Sequence, residues 1–188
     1  MKKKTLMAIF IVFIMIFSVF GFMMNYVFGP GENFTYNDIK FSATEQGVKA
    51  KINNVKYTFI FAPQQVEWIS MPKKTAQQLQ NTKYIAITYN PESKFATTMA
   101  EAQFYLEQQL SNADVYVERG LTNNTEYPEI KQITCATATS EQPVLELRAS
   151  NSTEIIVEGN CLIANAVEER EIYAVSERVL YTMLGVMT

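Results

Sequence analysis

The chain has 188 residues, 16 Lys and Arg against 19 Asp and Glu, a net charge of −3 and no histidine. Without histidine there is no Ser-His-Asp or Cys-His triad and no HExxH zinc site. The acidic balance argues against nucleic acid, which needs a concentrated basic surface.

From Leu6 to Phe28 no residue is charged, and only Ser18, Asn25 and the Tyr26 hydroxyl are polar. A helix of that length is about 34 Å long, enough to cross a hydrocarbon core of about 30 Å. Lys2, Lys3 and Lys4 precede the segment, and the next basic residue is Lys40. This asymmetry places the N-terminus in the cytoplasm and the rest outside. A cleaved signal peptide shares the basic start. Its small-residue site is nearly absent, Val19-Phe20-Gly21 being the best, and the apolar run continues past it. The expectation is therefore a cytoplasmic tail at 1–5, a transmembrane anchor at 6–28, a linker at 29–33 and an extracytoplasmic domain at 34–188. The protein is expected in the cell membrane as a single-pass chain, contacting the lipid bilayer through 6–28.

The exported part divides by charge. Residues 29–100 carry eight Lys against five acids (+3), and residues 101–188 five basic residues against fourteen acids (−9). The lysines of the first half are expected to form an ordinary solvated face, contact with anionic lipid headgroups being the other reading.

Gly29-Pro30-Gly31 breaks the apolar segment. A β-meander follows: Phe34–Thr44 as one irregular strand, a turn at Gln46-Gly47, Val48–Ile52, a tight hairpin at Asn53-Asn54, and Val55–Phe61 with Val55, Tyr57, Phe59 and Phe61 on one face. Residues 64–82 read as a short helical excursion with Trp68 as an anchor. Lys83–Tyr89 is a strand, and Asn90-Pro91 opens a helix to about Ser111 with a stripe of Phe95, Met99, Ala102, Leu106 and Leu110. Val115–Val117 then completes a right-handed βαβ crossover.

Three more strands are expected at Ile130–Thr134, Val144–Leu147 and Glu154–Val157, with Cys161–Ile163 as a fourth or as an extension of the third. Asn165-Ala-Val-Glu168 resembles a capping box before a final helix whose stripe is Ile172, Val175, Val179 and Met183, ending at Gly185. The fold class is α+β: a meander, one βαβ unit, and a β-rich segment, residues 130–188, closed by the C-terminal helix as one rigid lobe.

Cys135 and Cys161 are the only cysteines. In an exported domain such a pair reads as a disulfide, stabilising by about 3.5 kcal/mol in the loop-entropy model. Asn33, Asn123 and Asn151 each begin an N-glycosylation sequon.

Phosphate-binding loops are missing from the sequence, and no catalytic residue, cofactor or metal ligand set is assigned. Ser93 and Lys94 lie at a strand-to-helix junction, where ligands of parallel crossovers tend to sit; capping by Asn90 and Ser93 is the simpler account. Glu168, Glu169 and Glu171 with Arg170 suit a helix dipole better than a cation. Trp68, Tyr84, Tyr89, Phe104, Tyr105 and Tyr116 read as core or cross-strand aromatics rather than a sugar groove. The function expected is a non-enzymatic binding or scaffold component of the cell envelope, with other membrane or envelope proteins as partners. The alternatives are a ligand-binding sensor module or a carboxylate-based hydrolase or transferase.

Overall fold

The structure, a computed structural model, describes residues 33–188. The expected anchor at 6–28 lies outside the described residues. Among those described, no helix is long and apolar enough to cross a membrane.

Alternation of apolar and polar residues builds the first sheet. Strands β1 (Asn33–Tyr36), β2 (Ile39–Thr44), β3 (Gly47–Ile52) and β4 (Val55–Phe59) form an antiparallel meander in chain order. Asn53 and Asn54 make the expected tight turn, both at positive φ, 48° and 71°. The span read as one irregular strand is two, because Asn37 and Asp38 also adopt positive φ (46° and 62°) and reverse the chain. Asn and Asp tolerate that region better than other non-glycine residues.

Two helices follow, α1 (Pro63–Val66) and α2 (Lys73–Gln80). Pro63 opens α1, where its missing N–H costs nothing. Trp68 is not an anchor: it is 58% exposed, its Nε1 donating to Gln65 O, and neighbouring Ile69 is buried instead.

The second sheet has five strands: β5 (Tyr84–Tyr89), β6 (Tyr116–Leu121), β7 (Val144–Ala149), β8 (Glu154–Glu158) and β9 (Cys161–Ala166), in the order β6-β5-β7-β9-β8. β5 pairs parallel with both β6 and β7, β7 pairs parallel with β9, and only β8 runs antiparallel. The βαβ unit and the later strands are therefore one sheet, not separate lobes. Gly159 at φ 61° turns β8 into β9, making Cys161–Ala166 its own strand.

Residues Ile130–Thr134 do not form a strand. They touch β6 through a single bridge, Leu121 to Gln132. Gly120 permits this approach, since a Cβ there would lie 2.6 Å from Ile133 Cδ1 and 2.7 Å from Lys131 O. Ile133 then packs with Ala86, Val144, Cys161 and Ile163 on one face of the sheet. On the opposite face, Ile85, Ile87, Leu145, Leu147, Leu162 and Ala164 meet helices α3 (Ala96–Ser111) and α4 (Glu169–Met183).

The α3 stripe is as expected from Met99 to Leu110, but the helix begins at Ala96 rather than at Asn90-Pro91. Asn90 Oδ1 accepts Glu92 N–H at 3.0 Å, and Ser93 Oγ accepts Phe95 N–H at 3.3 Å. Side chains of this kind satisfy the backbone locally in competition with a helix. The expected capping box is likewise displaced by three residues. Asn165 is inside β9, and it is Glu171 that accepts the N–H groups of Val167 (3.0 Å) and Glu168 (3.2 Å).

Helix α4 lies between the two sheets. Its stripe packs on the second sheet, while Tyr181 stacks on Phe59 of the meander at 4.4 Å and meets Phe41 edge-on at 6.2 Å. Even its polar residues Ser176, Glu177, Arg178 and Thr182 are buried. Each has a partner: Glu177 takes the N–H groups of Ile60 and Phe61, and Arg178 Nε donates to Ile69 O at 2.8 Å. One core spans both sheets.

Candidate functional site

Parallel strands β5 and β7 are neighbours, with Tyr89 opposite Leu147. Beyond β5 the chain leads to β6 on one side; beyond β7 it leads to β8 and then β9 on the other. A crevice opens at the carboxyl end of such a pair because the two connections diverge, and ligands of open α/β sheets bind there.

Here the crevice is an open cleft of about 560 Å³. Asn90, Ser93 and Lys94 line it from the β5 side, and Glu146, Arg148, Ser150 and Asn151 from the β7 side. Strand alternation sends Glu146 and Arg148 to the same face as Val144. The guanidinium of Arg148 meets Glu146 Oε1 through Nε at 2.8 Å and Nη2 at 2.6 Å. This holds Arg148 in place and leaves Nη1 facing away from the pair. Lys94 is exposed, its Nζ 4.5 Å from the centre of the Phe95 ring. Two cations and several amide and hydroxyl groups thus surround one mouth, with the single carboxylate Glu146 already paired. Such a lining suits a polar ligand bearing a carboxylate or phosphate, which guanidinium binds through charge-assisted hydrogen bonds.

The disulfide lies beneath this cleft. Cys135, in a 3-10 turn (Cys135–Thr137), bonds to Cys161 at the start of β9, with Cα atoms 5.2 Å apart. Glu146 Oε2 is 3.2 Å from Cys135 Sγ. Cys135, Glu146 and Cys161 bring their ligand atoms within 4.8 Å of one another. With the sulfurs joined there is no thiolate to bind a metal, and Glu146 is turned to Arg148.

Other expected features resolve separately. Glu171 is engaged by Thr153 Oγ1 and by backbone N–H groups, and the Thr153 hydroxyl foremost, aided by those amides, holds its carboxyl below the usual range. Arg170 lies over the Phe61 ring at 5.2 Å, away from the acids. The aromatics do not converge. Tyr84 stacks on Tyr116 at 5.1 Å, Phe104 lies under Arg119, and Tyr105 donates to buried Glu177 at 2.7 Å.

Asn123 accepts Thr125 N–H at 3.1 Å, Asn33 accepts the Ser42 hydroxyl at 2.5 Å, and Asn151 is exposed at the cleft rim. Sequence reasoning weighed Ser93 and Lys94 at this junction and preferred local capping to a site. It missed Glu146, Arg148 and Ser150, whose signal was the end of the Val144–Leu147 strand read without knowing its neighbour. Compared with known proteins, the chain matches no family model, no curated protein and no solved structure.

Proposed function

We propose that this protein is a membrane-anchored extracytoplasmic binding domain, a non-enzymatic component of the cell envelope. Its ligand is a small polar molecule with a carboxylate or phosphate group, held in the cleft between β5 and β7. The carrying observation is that Lys94 and Arg148 line the same cleft at the sheet's switch point, with Arg148 pre-oriented by Glu146. A glycosidase-like pair needs two carboxylates working together, and among the described residues Glu146 is the one acid lining this cleft. The apolar segment 6–28 supplies the membrane anchor in this reading, and the lysines before it the orientation.

The test is a thermal-shift screen of the full chain in nanodiscs against dicarboxylates, sugar phosphates, nucleotides and amino acids. A ligand of the cleft raises Tm, and Lys94→Gln weakens it about tenfold or more, the usual cost of losing a charge-assisted hydrogen bond. The reading is abandoned if no compound shifts Tm, or if Lys94→Gln and Arg148→Gln leave every hit unaffected.

A further inference from the structure

The register of the meander collects its lysines. Thr35 pairs with Lys40, and Lys51 pairs with Lys56. Phe41 is opposite Ala50, so the next residues along, Lys40 and Lys51, face each other. Lys40, Lys51 and Lys56 therefore stand in one row across β2, β3 and β4, on the exposed face opposite Phe41, Ala50 and Tyr57. Adjacent strands are about 4.8 Å apart, so three ammonium-bearing positions fall within about 10 Å. Lys49 adds a fourth on the neighbouring row, between Ser42 and Thr58.

No Asp or Glu occurs in any of the four strands. Asp38 and Glu45 sit only at turns, and none of the four lysines is in an ion pair among the described residues. Like charges directly opposite one another destabilise a sheet. A solvated face has no need of such a row, and an anionic partner relieves its repulsion.

We propose that this lysine face docks on the anionic headgroups of the membrane that anchors the chain. Charge complementarity favours a polyanionic surface. Chain length selects the membrane: Thr35, the remaining member of the row, is seven residues past Phe28, a reach of about 25 Å even when fully extended. Each lysine near an anionic surface contributes about a fivefold gain in partitioning. The proposal rests on the anchor reading for its geometry, and not on the cleft.

The experiment is amine acylation footprinting of the full chain in nanodiscs, one set of phosphatidylcholine and one containing phosphatidylglycerol. Lys40, Lys51 and Lys56 should react about fivefold more slowly in the anionic discs, with protection lost at high salt, while exposed Lys73, Lys74 and Lys83 react equally in both. Equal rates at the three row lysines overturn the proposal. So does protection by soluble polyphosphate without protection by anionic lipid, which assigns the face to another partner. If the chain does not stay with the discs, the anchor reading fails. Docking is then decided by flotation of the free chain with anionic vesicles, which Lys40→Gln/Lys51→Gln/Lys56→Gln should reduce about 100-fold; no flotation, or flotation unaffected by the triple change, overturns it.

Discussion

Glu177 accepts the Tyr105 hydroxyl at 2.7 Å inside the core, joining α4 to α3 at the point where both meet the end of β4. The same carboxyl takes Ile60 N–H at 2.6 Å and Phe61 N–H at 2.7 Å. Burial pushes its pKa up to about 7, against the pull of these donors. When Glu177 is protonated it can donate to Tyr105, whose own proton then turns to Thr58 O at 3.2 Å. Every member of the group stays bonded in the neutral form.

Stability should therefore depend on pH. The folded-state pKa lies above the unfolded value of about 4.3, so the native state binds the extra proton between the two. This contribution is fully present below the unfolded pKa and is lost as pH rises through about 7. Urea denaturation should show stability falling by on the order of 3 kcal/mol from pH 4 to pH 8. Glu177→Gln should remove that slope and cost about 1–3 kcal/mol at pH 5, because the amide NH2 cannot accept an N–H. A slope unchanged in the variant refutes the assignment.

Gly120 should resist substitution. A Cβ at this position meets Ile133 Cδ1 and Lys131 O, one of them backbone that cannot yield easily. Gly120→Ala should destabilise by about 1–3 kcal/mol, the usual range for overpacking, read as a lower denaturation midpoint. An unchanged midpoint shows that the 131–133 segment can lift from β6.

Reducing the Cys135–Cys161 bond should lower Tm. The bond fastens the segment over the second face to β9, closing a loop whose ends are 26 residues apart. The loss should be on the order of 3 kcal/mol, and Cys135→Ser/Cys161→Ser should reproduce it. A Tm indifferent to reductant removes the bond from the list of what holds this face.

Carbonate extraction tests the anchor. Full-length chain should stay in the membrane pellet with Lys2–Lys4 retained, as read by N-terminal sequencing. A mature chain beginning at Phe22, or release at alkaline pH, replaces the anchor with a cleaved leader.

Local rules carried much of the architecture. The Asn53-Asn54 turn, the apolar stripe of α3 and the Gly185 terminus of α4 each follow from a few neighbouring residues, and the structure has them at the expected positions. So does the disulfide, because with two cysteines there is one intramolecular pairing. Where local signals competed, the reading slipped. Asn37-Asp38 turns without a glycine to mark it, and the hydrogen bonds of Asn90 and Ser93 delay α3 to Ala96.

Strand order was not legible, since parallel pairing joins residues far apart in the chain and leaves no periodic trace. β7 inserts beside β5 rather than closing a separate lobe. That one placement brings Arg148 across from Lys94 and forms the cleft, while the end of the meander and Tyr105 of α3 close over Glu177. The sequence by itself determined most of the elements, though not the strand expected at Ile130–Thr134, together with the lysine-rich and acid-rich halves and the pair of cysteines, because each is written in composition or in spacing of a few residues. Only the tertiary structure decided which charges face one another, because register and strand order are settled by packing of the whole core.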